Sequence, residues 1–352
     1  MPTNRAAWLD AKSTTLVVHN APFPIPGEDE IVVKNACVAI NPVDYKLQDW
    51  DFLNLRYPAI LGCEVAGEIV AIGDQVRNFQ TGQRVIGNCH SSVTKDYKNA
   101  GFQEYTVLSS SLAVPIPDEM AFSAAVVLPV AVSTASAALF DPGNFGIAVP
   151  QMAMSDSPTP AASDLLPPKD TSAVLIWGGS TSVGCVAIQL ARAAGLKVIT
   201  TTSKHNFGLC KALGAHEVFD READSAVDEI VAALNGKVLV GALNAVGAQN
   251  TLQTCIDILV RTESRKLVAT TLPVEEGVER RGVQVNFFHG LSILQNGLAS
   301  TIWNEFLPQA LQDGTLVPKP DAVIVGHGLD DIQKGLNKAR EGYSASKLVV
   351  TL

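Results

Sequence analysis

The sequence predicts an α/β protein in two parts: a β-rich unit, and a doubly wound parallel sheet flanked by helices. Three observations predict it. The first third of the chain consists of Val- and Ile-rich runs separated by Gly and Pro. From Ala173 onward, short apolar runs alternate with helical stretches, several of which end at a glycine. The first strand-to-helix junction of that region is a glycine-rich turn, WGGSTSVG (residues 177–184).

Taken in order, EIVVKNACVAI, EVAGEIVAIG and QRVIG read as strands, rich in β-branched residues as buried strands are. PIPDEM closes the β-rich part, with Asp118 or Ser123 as caps for the apolar helix that follows. That helix, residues 121–140, contains Pro129 and several Ser and Thr residues, so it reads as a buried helix and not a membrane span. Residues 142–170, rich in Pro, Ser, Ala and Asp, read as a long surface insert: either a tolerated loop, or a lid or docking segment.

The alternation then begins. SAVLIWG is a strand, residues 182–194 a helix stopped by Gly195, KVITTTS a strand, and FGLCKALG a helix closed by Gly214. HEVFD, AVDEIVAALNG, VLVGALNAVG, TLQTCIDILV and KLVATTL continue the pattern through a fifth strand. In the tail, LSILQNGLASTIWNEFLPQALQDG reads as one helix, and VPKPDAVIV and KLVVTL as strands around the helix DDIQKGLNKAREG.

Hydrophobic residues make up 47% of the chain and charged residues 17%, which suits a globular protein with a sizeable core. The formal net charge of −9 disfavours a nucleic-acid surface, which needs a basic face. MPTNRAAWLDAKS lacks the apolar core of a secretory signal, and the letters SKL in SKLVVTL are not terminal, so neither address is expected. Six cysteines without a C-x-x-C pair suggest reduced thiols and a cytoplasmic location. No run of 18 or more uncharged apolar residues reads as a membrane span, so no membrane association is expected.

The glycine turn carries the functional expectation. A strand that turns at once into a helix presents amides with no partners inside the helix, and the helix dipole adds partial positive charge. A pyrophosphate fits there. Gly179, Ser180, Thr181, Ser182, Val183 and Gly184 are the candidate cradle. A strict G-x-G-x-x-G ending at Gly184 would need glycine where Thr181 stands, but hydroxyls also bond phosphate oxygens. The alternative is a purely structural turn. The second strand ends TTTSKHN, without the acid that holds unphosphorylated ribose. Ser203, Lys204, His205 and Asn206, with Arg221 after the third strand, suit a 2′-phosphate, which points to NADPH over NADH. The alternative there is a solvated surface cluster.

The stretches AINPVDYK (39–46), LGCEVAGEIVAIG (61–73), GQRVIG (82–87), GFQEYTVL (101–108), KALGAHEVFD (211–220) and SASKLVVTL (344–352), together with the glycine turn, resemble the medium-chain dehydrogenase/reductase superfamily over nearly the whole chain. The resemblance implies a GroES-like catalytic domain, residues 1–125 completed by 275–352, and a Rossmann NADPH-binding domain, residues 126–274, with the 142–170 insert. Zinc alcohol dehydrogenases of that superfamily place a Cys in the segment matching AINPVDYK and Gly-His-Glu where this chain has Gly62-Cys63-Glu64. Here Asn41-Pro42-Val43 replaces the first ligand and Cys63 the His. The segment NCHSSVTKDYKNA has too few ligands for a four-Cys structural zinc, so no metal is expected. Cys63 then reads as a core thiol and Glu64 as a structural acid.

Among zinc-free branches the chain resembles quinone oxidoreductases and, in TTTSKHNFGLCK, the insert and NFFHG, the trans-acting enoyl reductases that serve fungal polyketide synthases. That resemblance implies reduction of an activated C=C bond in secondary metabolism. The substrate is either free or presented on an acyl carrier, with a polyketide synthase as partner in the second case. It also implies site residues: Tyr45 and Lys46 as catalytic groups, and Val43, Asp44, Lys46, Val246, Thr271, Leu272, Ser344 and Ala345 beside the cofactor. Leu128, Ser133, Thr134, Asn286, Phe287, Phe288 and His289 would line the substrate pocket. Two other activities stay open on this scaffold: a carbonyl or imine reductase, and a non-redox cyclase or pericyclase pocket that keeps the cofactor fold.

Overall fold

The computed structural model describes residues 3–151 and 172–352, so most of the 142–170 insert lies outside the described residues. The chain divides into two units. One comprises Met1–Val130, Trp303–Gln312 and Val317–Leu352; the other comprises Ala131–Ile302 and Asp313–Leu316.

The first unit is built on a seven-stranded sheet. Its path runs Asp321–His327, Ser346–Thr351, Glu30–Ala39, Glu64–Ile72, Arg84–Asn88, Ala113–Pro115, with Tyr105–Ser109 also paired to Glu30–Ala39. All pairs are antiparallel except the first. Glu30–Ala39 touches three neighbours and is buried on both faces, which explains why its sequence alternates so poorly. A smaller sheet, Val17–Ala21, Asn4–Leu9 and Ala59–Ile60, shares its core with Ile31, Val65, Phe102 and Leu108. The helix Ile332–Glu341 buries Ile332, Gly335, Leu336 and Ala339, the stripe a 3.6-residue period demands.

The second unit is a six-stranded, all-parallel sheet. Its order is Glu217–Asp220, Lys197–Thr202, Ser172–Trp177, Val238–Asn244, Leu267–Thr270, Gln284–Phe287. Read by sequence position this is the 3-2-1-4-5-6 order of the dinucleotide-binding fold. The GroES-like and Rossmann-like architecture is therefore the one expected, but the domain boundary differs. Residues 275–302 fall in the parallel-sheet unit and not in the β-rich unit, and their strand Gln284–Phe287 pairs with Leu267–Thr270. This sixth strand is a four-residue edge with only Val285 buried, too short and too mixed to announce itself.

Two local expectations also change. The long apolar helix is two helices, Phe122–Ala125 and Pro129–Phe140. Pro129 opens the second, where its missing N–H has no helical partner to lose. Neither Asp118 nor Ser123 caps the first: its N-cap is Ala121, with no side-chain cap bond. The stretch 122–140 is the one described helical stretch long and apolar enough to cross a membrane, and 72% of its most apolar window is buried inside the protein. The tail helix is likewise broken. Gly297, at φ +75°, separates the 3₁₀ turn Gly290–Leu294 from a helical run beginning at Leu298. That run passes through a π-helical segment, Thr301–Phe306, before Leu307–Gln312. Pro308 lacks the N–H that an α-helix would direct at residue 304, and a widened turn accommodates the loss.

The described start of the insert is anchored. Phe145 is fully buried, its carbonyl accepts from Arg265 Nη1 at 2.8 Å, and its ring lies where a side chain at Gly241 would otherwise sit.

Candidate functional site

In the parallel-sheet unit, the strand Ser172–Trp177 ends and the chain turns through Gly178, at φ +92°, into the helix Ser182–Ala193. The turn leaves no room for a side chain at its glycines. A Cβ at Gly179 would stand 2.3 Å from Thr200 Oγ1, and one at Gly184 would stand 2.2 Å from the Gly178 carbonyl oxygen. Thr181 is the N-cap: its Oγ1 accepts from the Gly184 amide at 3.0 Å and donates to the Gly178 carbonyl at 2.8 Å. Its hydroxyl is thus committed to the turn, which explains why Thr can stand where the strict motif asks for glycine. The amides of Ser182 and Val183, in the first helical turn, precede any intrahelical acceptor, and both residues are partly exposed. A backbone cradle closed to Cβ atoms and opening on helix-end amides fits a pyrophosphate.

The turn is tied to the end of the neighbouring strand. Ser180 Oγ accepts from Thr202 Oγ1 at 2.7 Å and from Asn206 Nδ2 at 3.4 Å. This brings Ser203, Lys204, His205 and Asn206 alongside the cradle, on the strand end and 3₁₀ turn beyond Thr202. Lys204 is 80% exposed and lies 3.6 Å from Asp220 Oδ2, a partner that the sequence pattern does not reveal. The register explains it: Asp220 pairs across from Thr202 in the parallel sheet. Arg221 is exposed and pairs with Glu222 at 3.1 Å.

The ends of the next strands also converge on the turn. A Cβ at Gly178 would meet Val246 Cγ2, and one at Gly247 would meet Leu272 and Thr271. Asn244, buried and not foreseen, pins this corner: its Oδ1 accepts from the Gly247 amide at 3.1 Å and Thr251 Oγ1 at 3.0 Å. A polar residue closing an otherwise apolar strand was the available signal. On the helix Pro129–Phe140, Ser133 is fully buried and its hydroxyl has no hydrogen-bond partner among the described residues. Thr134 lies against Gly290, whose lack of Cβ permits the approach. Asn286 donates to the Gly143 carbonyl at 2.7 Å, so its amide secures the base of the insert. Phe287 is 50% exposed, Phe288 is buried, and His289 Nδ1 accepts from the Leu291 amide at 3.3 Å.

In the β-rich unit, AINPVDYK leads into the helix Pro42–Trp50. Lys46 is half-buried, its ammonium 6.0 Å from the centre of the Trp50 ring, and burial lowers its pKa. Tyr45 and Val43 are partly buried against the core, with the Arg340 guanidinium 5.7 Å from the Tyr45 ring. Asp44 is fully buried, Oδ2 accepting from the Asn41 amide at 2.7 Å and Oδ1 from the Cys63 thiol at 3.3 Å. Burial chiefly pushes its carboxyl up, to about 7. Leu128 is fully buried too, and packs as core.

Next to Asp44 lies a buried polar cluster. Glu64 and Lys347 are buried and 2.6 Å apart. Asn41 bridges them, donating to Glu64 Oε1 at 2.7 Å and accepting from Lys347 Nζ at 2.5 Å. Glu64 Oε2 accepts from the Val130 amide at 2.8 Å. Burial by itself would lower the Lys347 ammonium; the Glu64 charge more than reverses this, holding it above the usual lysine range. Ser344 and Ala345, the latter at φ +45°, form the approach to Lys347.

These donors do not fit a divalent metal. Both Glu64 oxygens are occupied, and the Lys347 ammonium already supplies the cation. The Cys63 thiol is pushed well above its ordinary range by burial and the neighbouring Asp44, which opposes the thiolate a metal requires. Among the described residues no group of three or more His, Cys, Asp or Glu side chains is arranged to hold a metal. The segment beyond Asn88 is held instead by Glu30, which accepts from Lys98 Nζ at 2.8 Å and Asn99 Nδ2 at 3.3 Å, with His90 3.8 Å away.

Residues 27–118 match the alcohol dehydrogenase GroES-like domain family, and residues 182–311 match the zinc-binding dehydrogenase family. The chain is similar to dehydrogenase pigH of Monascus ruber, 39% identical over 383 residues with all of both chains covered. It is also 39% identical over 353 residues to the trans-enoyl reductase himH of Aspergillus japonicus, covering 99% of this chain and 97% of that one. A solved quinone oxidoreductase of Pseudomonas syringae shares the fold, with TM-score 0.74 at 22% identity, covering 99% of this chain and all of that one.

Proposed function

This chain belongs to the medium-chain dehydrogenase/reductase superfamily, whose members use nicotinamide coenzymes, and on that premise we propose that it is an NADPH-dependent, metal-free reductase of an activated C=C bond. The observation that carries the reading is the glycine cradle at Gly178, Gly179 and Gly184, which no Cβ can enter. Its amides at Ser182 and Val183 would hold the pyrophosphate. Lys204, with Ser203 and His205, would hold a 2′-phosphate, displacing the Lys204 contact to Asp220. Val246, Thr271 and Leu272 would border the nicotinamide end, and Val43, Ser344 and Ala345 are the coenzyme-side residues we propose from the β-rich unit.

When bound, the coenzyme supplies a hydride to the substrate's β-carbon. The chain must then stabilise charge on the substrate carbonyl oxygen and return a proton to the α-carbon. Lys46 suits the first of these roles. A half-buried ammonium interacts strongly with a nascent anion, and its lowered pKa makes it a better hydrogen-bond donor and acid. Tyr45, its neighbour on the same helix, is the candidate proton donor. Thr134 and Phe288 would border the acyl group.

The trans-enoyl reductase relatives support an enoyl substrate over an isolated ketone; we propose an enoyl thioester, free or on an acyl carrier of a polyketide synthase. Six free cysteines suit a reducing, cytoplasmic setting. The test is coenzyme consumption across enones, quinones and enoyl thioesters, with metal analysis alongside. NADPH should be oxidised fastest with the thioesters, without stoichiometric zinc. Lys46→Ala should lower kcat by roughly 100-fold with little change in coenzyme affinity. An unchanged kcat removes Lys46 from the mechanism.

A further inference from the structure

We propose that Glu64 is a positioning residue: a buried hub that holds three separate parts of the chain in register for the reaction. One carboxylate reaches all three. Through Asn41 Nδ2, at 2.7 Å, it holds the turn that opens the helix bearing Tyr45 and Lys46. Through the Val130 amide, at 2.8 Å, it holds the first turn of the helix Pro129–Phe140. Through Lys347, at 2.6 Å, it holds the C-terminal strand directly after Ser344 and Ala345.

Glu64 and Lys347 have 0% and 1% of their side chains exposed. A buried pair of this kind is weak evidence for stability, since well-packed apolar groups often do as well. What the pair supplies here is direction. Lys347 donates to both Glu64 and Asn41, which fixes the Asn41 amide with its nitrogen toward Glu64 and its oxygen toward Lys347. The Asn41 backbone N–H is taken by Asp44 Oδ2 at 2.7 Å. The N-terminus of the catalytic helix is therefore held from its side chain and its backbone at once. Misplacement of a reacting group by about 1 Å costs on the order of 100-fold in rate, so a hub of this kind acts on turnover more than on binding.

The kinetic part of this inference rests on the reductase reading; the structural part does not, and the experiment separates them. In Glu64→Gln, one oxygen becomes an NH₂ donor, so the side chain can no longer accept from both Lys347 and the Val130 amide. Hydrogen exchange read on the coenzyme-free protein should show at least tenfold faster exchange at the Val130 and Asn41 amides. In the same variant kcat should fall at least tenfold, with KM for NADPH within twofold. Glu64→Asp, which keeps the charge but shortens the reach, should restore only part of kcat. If Glu64→Gln does not fold, Glu64→Gln with Lys347→Met leaves no unpaired buried charge and should fold with the same kinetic loss. Unchanged amide exchange together with kcat within twofold of the parent, in either variant, would overturn the proposal. Should the parent protein reduce none of the substrates, the reductase reading fails and the amide exchange still decides the hub.

Discussion

The turn at residues 178–184 and the cluster around Glu64 are both arranged to hold charge, but they are made of different material. The turn uses backbone. Its glycines stand where a Cβ would collide with Thr200 or with the Gly178 carbonyl, and its binding groups are amides that any sequence supplies. The cluster is built on side chains: a carboxylate, an ammonium and the Asn41 amide, drawn from residues as far as 306 positions apart, with one backbone N–H, that of Val130, added. A backbone device tolerates Ser and Thr around it, because only its small residues are dictated. A side-chain cluster tolerates little, because each member leaves another one buried and unpaired when removed.

The sharpest way to break the comparison is to remove one member of each. Lys347→Met should destabilise the protein by about 3–5 kcal/mol, since Glu64 is left as an uncompensated buried charge. Chemical denaturation reads this, and a loss below about 1 kcal/mol would mean that water or another cation reaches Glu64. Gly179→Ala should cost less, about 1–3 kcal/mol, as Thr200 and Cys210 give way. It should nonetheless abolish coenzyme binding, measured by quenching of protein fluorescence.

Acid–base behaviour sharpens the contrast within the cluster. Asp44 is pushed up to about 7 in the folded chain from an ordinary 3.8, chiefly by burial. The folded state therefore binds the extra proton between those values, and this contribution to stability falls as pH rises from about 4 through about 7. Asp44→Asn should flatten that part of the stability profile, as seen in denaturation midpoints across the range. A profile parallel to the parent's would mean that Asp44 titrates normally.

The smallest effects belong to the pair beside the turn, an exposed Lys204 on a largely buried Asp220. Lys204→Ala should weaken NADPH binding about tenfold and leave NADH unchanged. Asp220→Asn, which frees Lys204, should strengthen NADPH binding by roughly twofold, the scale of an ion pair whose cation is solvent-exposed. Equal weakening of both coenzymes by Lys204→Ala would remove the 2′-phosphate assignment.

The same contrast explains what is legible in the sequence. The parallel sheet is legible because each strand-helix unit is contiguous, and the turn because its glycines are adjacent in the chain. Asp220 is not, because its link to Lys204 arises from strand register, nor is the edge strand Gln284–Phe287, because four residues carry too little pattern. Cys63, expected as a plain core thiol, is half-buried and donates to Asp44. Glu64 is recognisable as a structural acid but without its partners. The clue to Lys347 is present in SKLVVTL: a lysine entering an apolar, buried strand needs an anion, and Glu64 in LGCEVAG is a buried acid in need of a cation.

The central claim is that this fold directs a hydride to the β-carbon of an activated alkene. Reduction of an enoyl thioester with NADPH deuterated at C4 on the transferred face tests it most directly, with the product read by mass spectrometry and NMR. The account predicts one deuterium, at the β-carbon. Deuterium at the former carbonyl carbon, or an unlabelled product, would contradict it.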